Sequence, residues 1–453
     1  MSSIDEDDRV PAPAWSGQEK ALLVGSVVLI TLSAFEALAT ATIMPNVMAD
    51  LRSDQWFSVA SGAALAATML TTVIAGALSD SRGPRQVLIG GVVLFGLGLV
   101  LCAVAPHVAV FVCGRVIQGL GAGLVIVPLY VLVGAVATDR HRPTFFAAFS
   151  LAWVLPSLIG PAIAGFVAVN FGWRIVFGAV PAISALAVLL LIPALGKLET
   201  GPTKPSVGLG RLGTLALICG LGVMGLQLAG AIGGPAAVVV GVAGFIATVA
   251  TLPRLLPKGL FTFKPGLPSY VGVRLFAMGA VTASNTFLPL MLQRTHGWHA
   301  DAAGLAVSVG SIAWAGGSTF QARVKDLDHR RRLPLLGTIS LVLGIVLIAT
   351  LAFPGAPEWI GITGGLFAGF GVGTLHSTIS DLTLGMTEQS RHGMVSSWLQ
   401  VADNGGTALE LAIVSVALAA WSQLGTTVPY LPAVVIALLV GGFAVASAAR
   451  AVR

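Results

Sequence analysis

Long apolar runs, separated by short polar stretches and by turns rich in Gly or Pro, recur fourteen times along the chain. They lie at about 20–46, 56–79, 86–105, 108–137, 143–169 and 173–195, then 211–231 and 235–254, then 267–293, 299–322, 333–353, 358–384, 391–420 and 429–449. Each is near the ~20 mostly apolar residues that one helix needs to cross a bilayer. The pattern predicts an all-α integral membrane protein with 14 transmembrane helices, arranged as six, an inserted pair and six. The pair turns at Gly233-Gly234-Pro235. The expected divisions are a disordered tail at 1–19, a first six-helix half at 20–195, a linker at 196–210 and the hairpin at 211–254. A loop at 255–266, a second half at 267–449 and a C-terminus at 450–453 complete them.

Composition sharpens the reading. The chain is 56% hydrophobic and only 10% charged, which excludes a soluble domain. Basic residues are strongly one-sided. Arg82, Arg85, Arg140, Arg142, Lys197, Lys204, Arg211, Arg254, Lys258, Lys264, the run from Arg323 to Arg332, Arg391 and Arg450 fall in alternate loops or tails, whereas Arg52, Arg174 and Arg294 fall on the other side. Loops that stay in the cytoplasm retain Lys and Arg, so the termini, the 196–210 linker and the 255–266 loop are expected to be cytoplasmic. Trp56, Trp173, Trp298, Trp359 and Trp421 fall at predicted outer helix ends, where amphipathic indoles collect. The net charge of +6 is then explained by inner loops facing anionic lipid, and nucleic acid is not an expected partner. The start of the chain, with Asp5 to Asp8, lacks the pattern of a cleaved signal peptide. Cys102, Cys113 and Cys219 have no metal-binding spacing and are expected to pack; no metal or cofactor is expected.

The two sets of six repeat one another. Gly119, Gly121 and Gly123 in the fourth run match Gly369, Gly371 and Gly373 in the twelfth, 250 residues on, and Arg140-His141 and Arg391-His392 introduce runs five and thirteen. Paired six-helix halves related by an axis along the membrane normal are a common carrier design.

The loop after the second run reads Gly76-Ala-Leu-Ser-Asp80-Ser-Arg82-Gly83-Pro-Arg85. It resembles the signature of the major facilitator superfamily, and the whole chain after residue 20 is similar to that superfamily's fourteen-helix drug:proton antiporters. Asp80, at a helix end, is placed to pair with Arg85 and to face the positive N-terminus of a helix in the other half. The resemblance implies that this helix is the thirteenth and that Gly76, Asp80, Gly83 and Arg85 form a cytoplasmic gate. Arg115, Gln118 and Gly119 are similar to the family's buried-arginine motif. Gly160, Pro161 and Gly165 are similar to its antiporter motif, whose glycine and proline are expected to let helices pack closely and bend. Gly172-Trp173-Arg174 resembles a further signature, read as an outer anchor.

Charges within apolar runs point to mechanism, because each costs ~2.5–3.5 kcal/mol or more at the bilayer centre unless it faces a cavity or a partner. Glu36 lies ten residues before Asn46, hence ~15 Å below the outer surface, and Arg115 lies ~10 Å below it. The depths allow pairing. Glu36 is expected to carry a proton, with a structural ion pair as the alternative. Asp403 and Glu410, seven residues apart, share a helix face. They are read as a second protonation site or a contact for a substrate cation, against a buried hydrogen-bonded pair or a helix rotated to let the acids reach water. His376 is a relay candidate or a packing residue.

The expected activity is proton-coupled efflux of lipophilic, including cationic, small molecules by alternating access, with Glu36, Arg115, Asp403 and Glu410 in the coupling. The cavity is expected to be lined by Gln118, Phe149, Trp153, Asn285, Trp314, His376, Trp398 and Asn404. Three cavity acids against Arg115 would favour cations. Protons, a lipophilic substrate and membrane lipids are the expected partners of a monomer in the plasma membrane. A lipid or metabolite exporter of the same fold, or a transporter-like sensor or assembly subunit, remains open; no constellation for an enzyme is present.

Overall fold

The computed structural model describes residues 15–53, 56–195, 209–232, 234–298, 300–422, 428 and 430–452. Among them run α1 (Gly17–Asp50), α2 (Phe57–Arg82), α3 (Pro84–Ala103), α4 (Val108–Val136), α5 (Arg142–Phe171), α6 (Trp173–Leu195) and α7 (Leu209–Ile232). Then follow α8 (Gly234–Leu255), α9 (Leu267–Arg294), α10 (Ala300–Arg323), α11 (Leu327–Ala349), α12 (Glu358–Gly385), α13 (His392–Ser422) and α14 (Leu431–Ala451). Nine helices among the described residues are long and apolar enough to cross a membrane: α1 to α4, α6, α8, α9, α11 and α14. A shorter apolar run, Gly210–Leu226, lies in α7.

Two helices start earlier than the sequence predicts. Ser16 Oγ accepts from the Glu19 N–H (3.0 Å) and Glu19 Oε2 from the Ser16 N–H (3.0 Å), a reciprocal cap that starts α1 at Gly17. The Glu19 carboxylate also accepts from the Thr138 N–H (3.2 Å) and meets His141 Nδ1 (2.9 Å), while Trp15 stacks on His141. The end of the expected tail is therefore folded against the α4–α5 turn; residues 1–14, like 196–208 of the linker, lie outside the described residues. Similarly, Asp326 accepts from the His329 N–H (2.8 Å), so α11 takes in the basic stretch expected to be loop.

The glycine combs do the same work in both sets. A Cβ on Gly119 or Gly123 would strike α2, at the Ala64 carbonyl or the Thr71 hydroxyl, and one on Gly121 would strike the backbone of Phe95 in α3. In α12, Gly369 and Gly373 abut the carbonyls of Gly310 and Trp314 in α10, and Gly371 abuts that of Gly337 in α11. Residues four apart share a helix face and the one between them lies ~200° round, so three glycines dock two neighbours at backbone distance.

The hairpin α7–α8 packs along the seam between the two sets. Gly220 of α7 lies against α2, where a Cβ would come 2.9 Å from the Ala66 carbonyl, and Leu252 of α8 lies against Gly405 of α13.

At the end away from the basic loops, Asp50 ties α1 to α6. Its Oδ2 accepts from Arg174 Nη1 (2.7 Å) and Trp173 Nε1 (3.0 Å), and the guanidinium caps the Trp173 ring at 4.2 Å. Gly172, at φ +89°, makes the sharp entry to α6. The hydrogen bond from Arg174, then that from Trp173, hold the Asp50 carboxyl below its ordinary range. A depressed acid stabilises the fold above its ordinary titration and loses that contribution only as pH falls through the lowered value. Asp50→Asn is expected to lower the thermal midpoint in detergent evenly across pH ~5–8, converging with wild type only in stronger acid. The effect should not exceed ~1 kcal/mol, because the pair is half exposed and screened.

Candidate transport site

A cavity of about 450 Å³ lies between α1, α4 and α5 on one side and α9, α10, α12 and α13 on the other. That size suits a drug-sized ligand. Phe149, Trp153, Asn285, Trp314, His376 and Asn404 line it as expected, together with Tyr130, Gln400 and Asp403. Gln118 and Trp398 do not. Gln118 is held inside the first set of helices by Glu36 and Arg115, and Trp398 packs between two hydrophobic clusters.

Glu36 is also absent from the lining. It sits two residues from the cavity-lining Leu38, hence ~200° round α1, and points between α1, α2 and α4. Its Oε1 accepts from Arg115 Nη1 (2.6 Å) and Thr40 Oγ1 (2.7 Å), and its Oε2 from Gln118 Nε2 (2.6 Å). Arg115 Nε donates to the Ala60 carbonyl (3.3 Å). Glu36 in this conformation is thus a fully bonded carboxylate, 5% exposed.

Asp403 is paired just as completely, by a residue that the sequence reading passed over. Arg274 of α9, fully buried, donates through Nε to Asp403 Oδ1 (2.7 Å) and through Nη2 to Asp403 Oδ2. Its Nη1 donates to Ser380 Oγ (2.8 Å) and the His376 carbonyl (3.1 Å). His376 Nε2 stands 3.4 Å from Asp403 Oδ2, and the Tyr130 hydroxyl of α4 faces Arg274 from the first set of helices. An isolated arginine deep in the ninth apolar run carried the same signal as Arg115. Glu410 does not line the cavity either. The expected excess of three cavity acids over Arg115 is therefore overturned: only Asp403 faces the cavity, and Arg274 balances it.

Hydrogen bonds between the two sets of helices gather at the ends that carry the basic loops. Asp80 Oδ1 and Oδ2 accept from the N–H groups of Gly393 (2.9 Å) and Met394 (3.0 Å) at the N-terminus of α13. Gly76 abuts the Gly393 carbonyl, and Ser397 Oγ donates to the carbonyls of Thr72 (2.8 Å) and Val73 (3.1 Å). Gly83, at φ +83°, makes the turn into α3. Arg85 takes no part: among the described residues no ion pair joins it to Asp80, whose two oxygens are spent on α13. The mirror contact, between α10 and α5, uses different chemistry. Gln321 Nε2 at the end of α10 donates to the Pro143 carbonyl of α5 (3.2 Å), while within the second set Arg330 of α11 pairs with Asp381 of α12 at 2.6 Å.

Among the described residues the expected close packing at the antiporter motif is not seen. A Cβ on Gly165 would meet nothing within 4 Å, and one on Gly160 would make ordinary contact with the Phe35 ring at 3.5 Å. Pro161 lies within α5.

A helical bundle divided by a sealed-ended polar and aromatic cavity defines a membrane carrier. Residues 26–409 match the Major Facilitator Superfamily, and the chain belongs to that family. The chain is 27% identical to the multidrug transporter protein MdtP of Bacillus subtilis over 303 residues, 62% of this chain and 54% of that one. It is 24% identical to multidrug resistance protein 3 of the same organism over 83% of this chain and 75% of that one. A probable multidrug-efflux transporter of Mycobacterium tuberculosis is 26% identical over 72% of this chain and 71% of its own length. The chain thus spans about half the length of MdtP and about three quarters of the other two. In fold it resembles the human organic anion transporter MFSD10, with TM-score 0.71, 14% identity, and 95% and 100% of the two chains covered. It also resembles a bacterial homologue of the iron transporter ferroportin in an outward-facing state, with TM-score 0.69, 13% identity, and 96% and 99% covered.

Proposed function

We propose that this multi-pass transporter exports lipophilic small molecules across the plasma membrane in exchange for protons, by alternating access, with all fourteen helices spanning. The observation that carries the reading is the cavity itself: aromatic walls, scattered hydrogen-bonding groups and no net charge, closed at the basic ends by Asp80 on the N-terminus of α13. A cavity closed on one side by polar contacts between two helix sets suits a rocking carrier whose contacts break and re-form. The multidrug names of the relatives support a broad lipophilic substrate range. We read the Glu36–Arg115 and Asp403–Arg274 pairs as clamps that hold α1 on α4 and α9 on α13. Protons, substrate and surrounding lipid are then its partners.

The test is dye uptake into proteoliposomes with an acidic lumen, using ethidium, a permanent cation, and N-phenylnaphthylamine, a neutral dye. Gradient-stimulated uptake of the neutral dye is expected, with ethidium favoured by no more than ~10-fold, because one uncompensated cavity charge is the least that would give a larger preference. Absence of stimulation for both dyes by folded protein would overturn proton-coupled export. A far stronger preference for ethidium would restore an acidic cavity.

A further inference from the structure

Among the described residues the buried acids Glu36, Asp381 and Asp403 are each paired with an arginine and Glu19 with His141; Glu410 has no such partner. It is 2% exposed, and neither carboxyl oxygen has a hydrogen-bond partner among the described residues. It lies where α9 and α13 come closest. Gly406 abuts the Leu275 carbonyl, and the Glu410 carboxyl covers Gly279, where a Cβ would come 2.7 Å from Oε2. The helices packed against α13 are α2, α4, α7, α8, α9, α12 and α14, and among their described residues no charged or titratable group acts on Glu410. The nearest pair on its own face, Arg274–Asp403, is seven residues nearer the basic ends and already complete.

A carboxylate that is 2% exposed, with no hydrogen bond or counter-charge from the described residues, is not sustained in ionised form in such a place, so this side chain holds a proton here. We propose that Glu410 carries the exchanged proton, at a site between α9 and α13 that is separate from the substrate cavity. This rests on the export reading above and says how its coupling works. In the conformation in which α9 and α13 part at Gly279, beyond the Arg274–Asp403 clamp, the proton leaves the carboxyl oxygen for water. The ionised side chain then opposes closure onto Gly279 until it is reprotonated from the other side. Because α13 is continuous from the Asp80 contact at Gly393 and Met394 past Glu410, its movement joins proton site to gate, with Gly405-Gly406 as the pliant point between them. Proton and substrate therefore do not compete for one group.

Two measurements on the full chain test this. Infrared spectra of the reconstituted protein at neutral pH are expected to show a protonated carboxylic acid band that Glu410→Gln removes and Glu410→Asp shifts. A spectrum unchanged by Glu410→Gln overturns the proposal without recourse to any substrate. In proteoliposomes, with whichever dye the wild type moves, Glu410→Gln is expected to lose the excess of uptake with an acidic lumen over uptake without one, and Glu410→Asp to keep it. Stimulation that survives in Glu410→Gln overturns Glu410 as carrier while leaving export intact. Absence of stimulation in the wild type overturns the export reading itself.

Discussion

Arg274→Met is expected to destabilise the protein by about 3–5 kcal/mol, because it leaves Asp403 charged and buried without its counter-ion. Both bonds from the guanidinium to Asp403 are lost, and Ser380 and the His376 carbonyl lose a donor. Adding Asp403→Asn removes the stranded charge, so the double variant should recover most of the loss. Thermal unfolding in detergent of the two single variants and the double variant measures this coupling directly. Simple additivity would mean that the pair is not an energetic unit. Arg115→Met is expected to cost less, since Glu36 keeps Gln118 and Thr40 as donors.

The second large effect falls on the gate. Asp80 accepts two backbone N–H groups of α13 with its two oxygens, and hydrogen bonds to a charged group are each worth ~1.5–3 kcal/mol. Asp80→Asn leaves one acceptor and turns an NH₂ toward an N–H. The balance between states should shift ~10- to 150-fold toward opening at the basic ends. Gly76→Val acts sterically, since the Gly393 carbonyl occupies the space its side chain needs. Spin labels at the basic ends of α2 and α13 should report a longer distance in both variants, with transport falling most in Gly76→Val. Unchanged distances would remove this contact from gating.

Local periodicity made much of this legible in advance. Helix positions followed from apolar runs, the comb Gly119, Gly121, Gly123 and its copy announced backbone-close packing, and the depths of Glu36 and Arg115 allowed the pair that forms. What stayed hidden depends on rotation about a helix axis and on register between helices distant in sequence. Seven-residue spacing put Asp403 and Glu410 on one face, but could not say that this face meets α9, where Arg274 neutralises one acid and Gly279 buries the other. Nor could the pattern show that Glu36 points away from the cavity, that Asp80 spends both oxygens on α13 rather than on Arg85, or that Gln321 with Pro143 forms the mirror contact. Capping explains the early starts of α1 and α11: a single side chain on a single N–H moves a boundary that hydropathy averages over.

Coupling is reciprocal, so a carrier that uses a proton gradient to move substrate must also use a substrate gradient to move protons. The most direct measurement records dye and lumenal pH together in proteoliposomes that start without any pH difference. Imposing a dye gradient is expected to drive protons the opposite way in a fixed ratio to dye moved, and the proton signal should vanish in Glu410→Gln. Dye movement by the wild type with no proton movement would contradict the account at its centre.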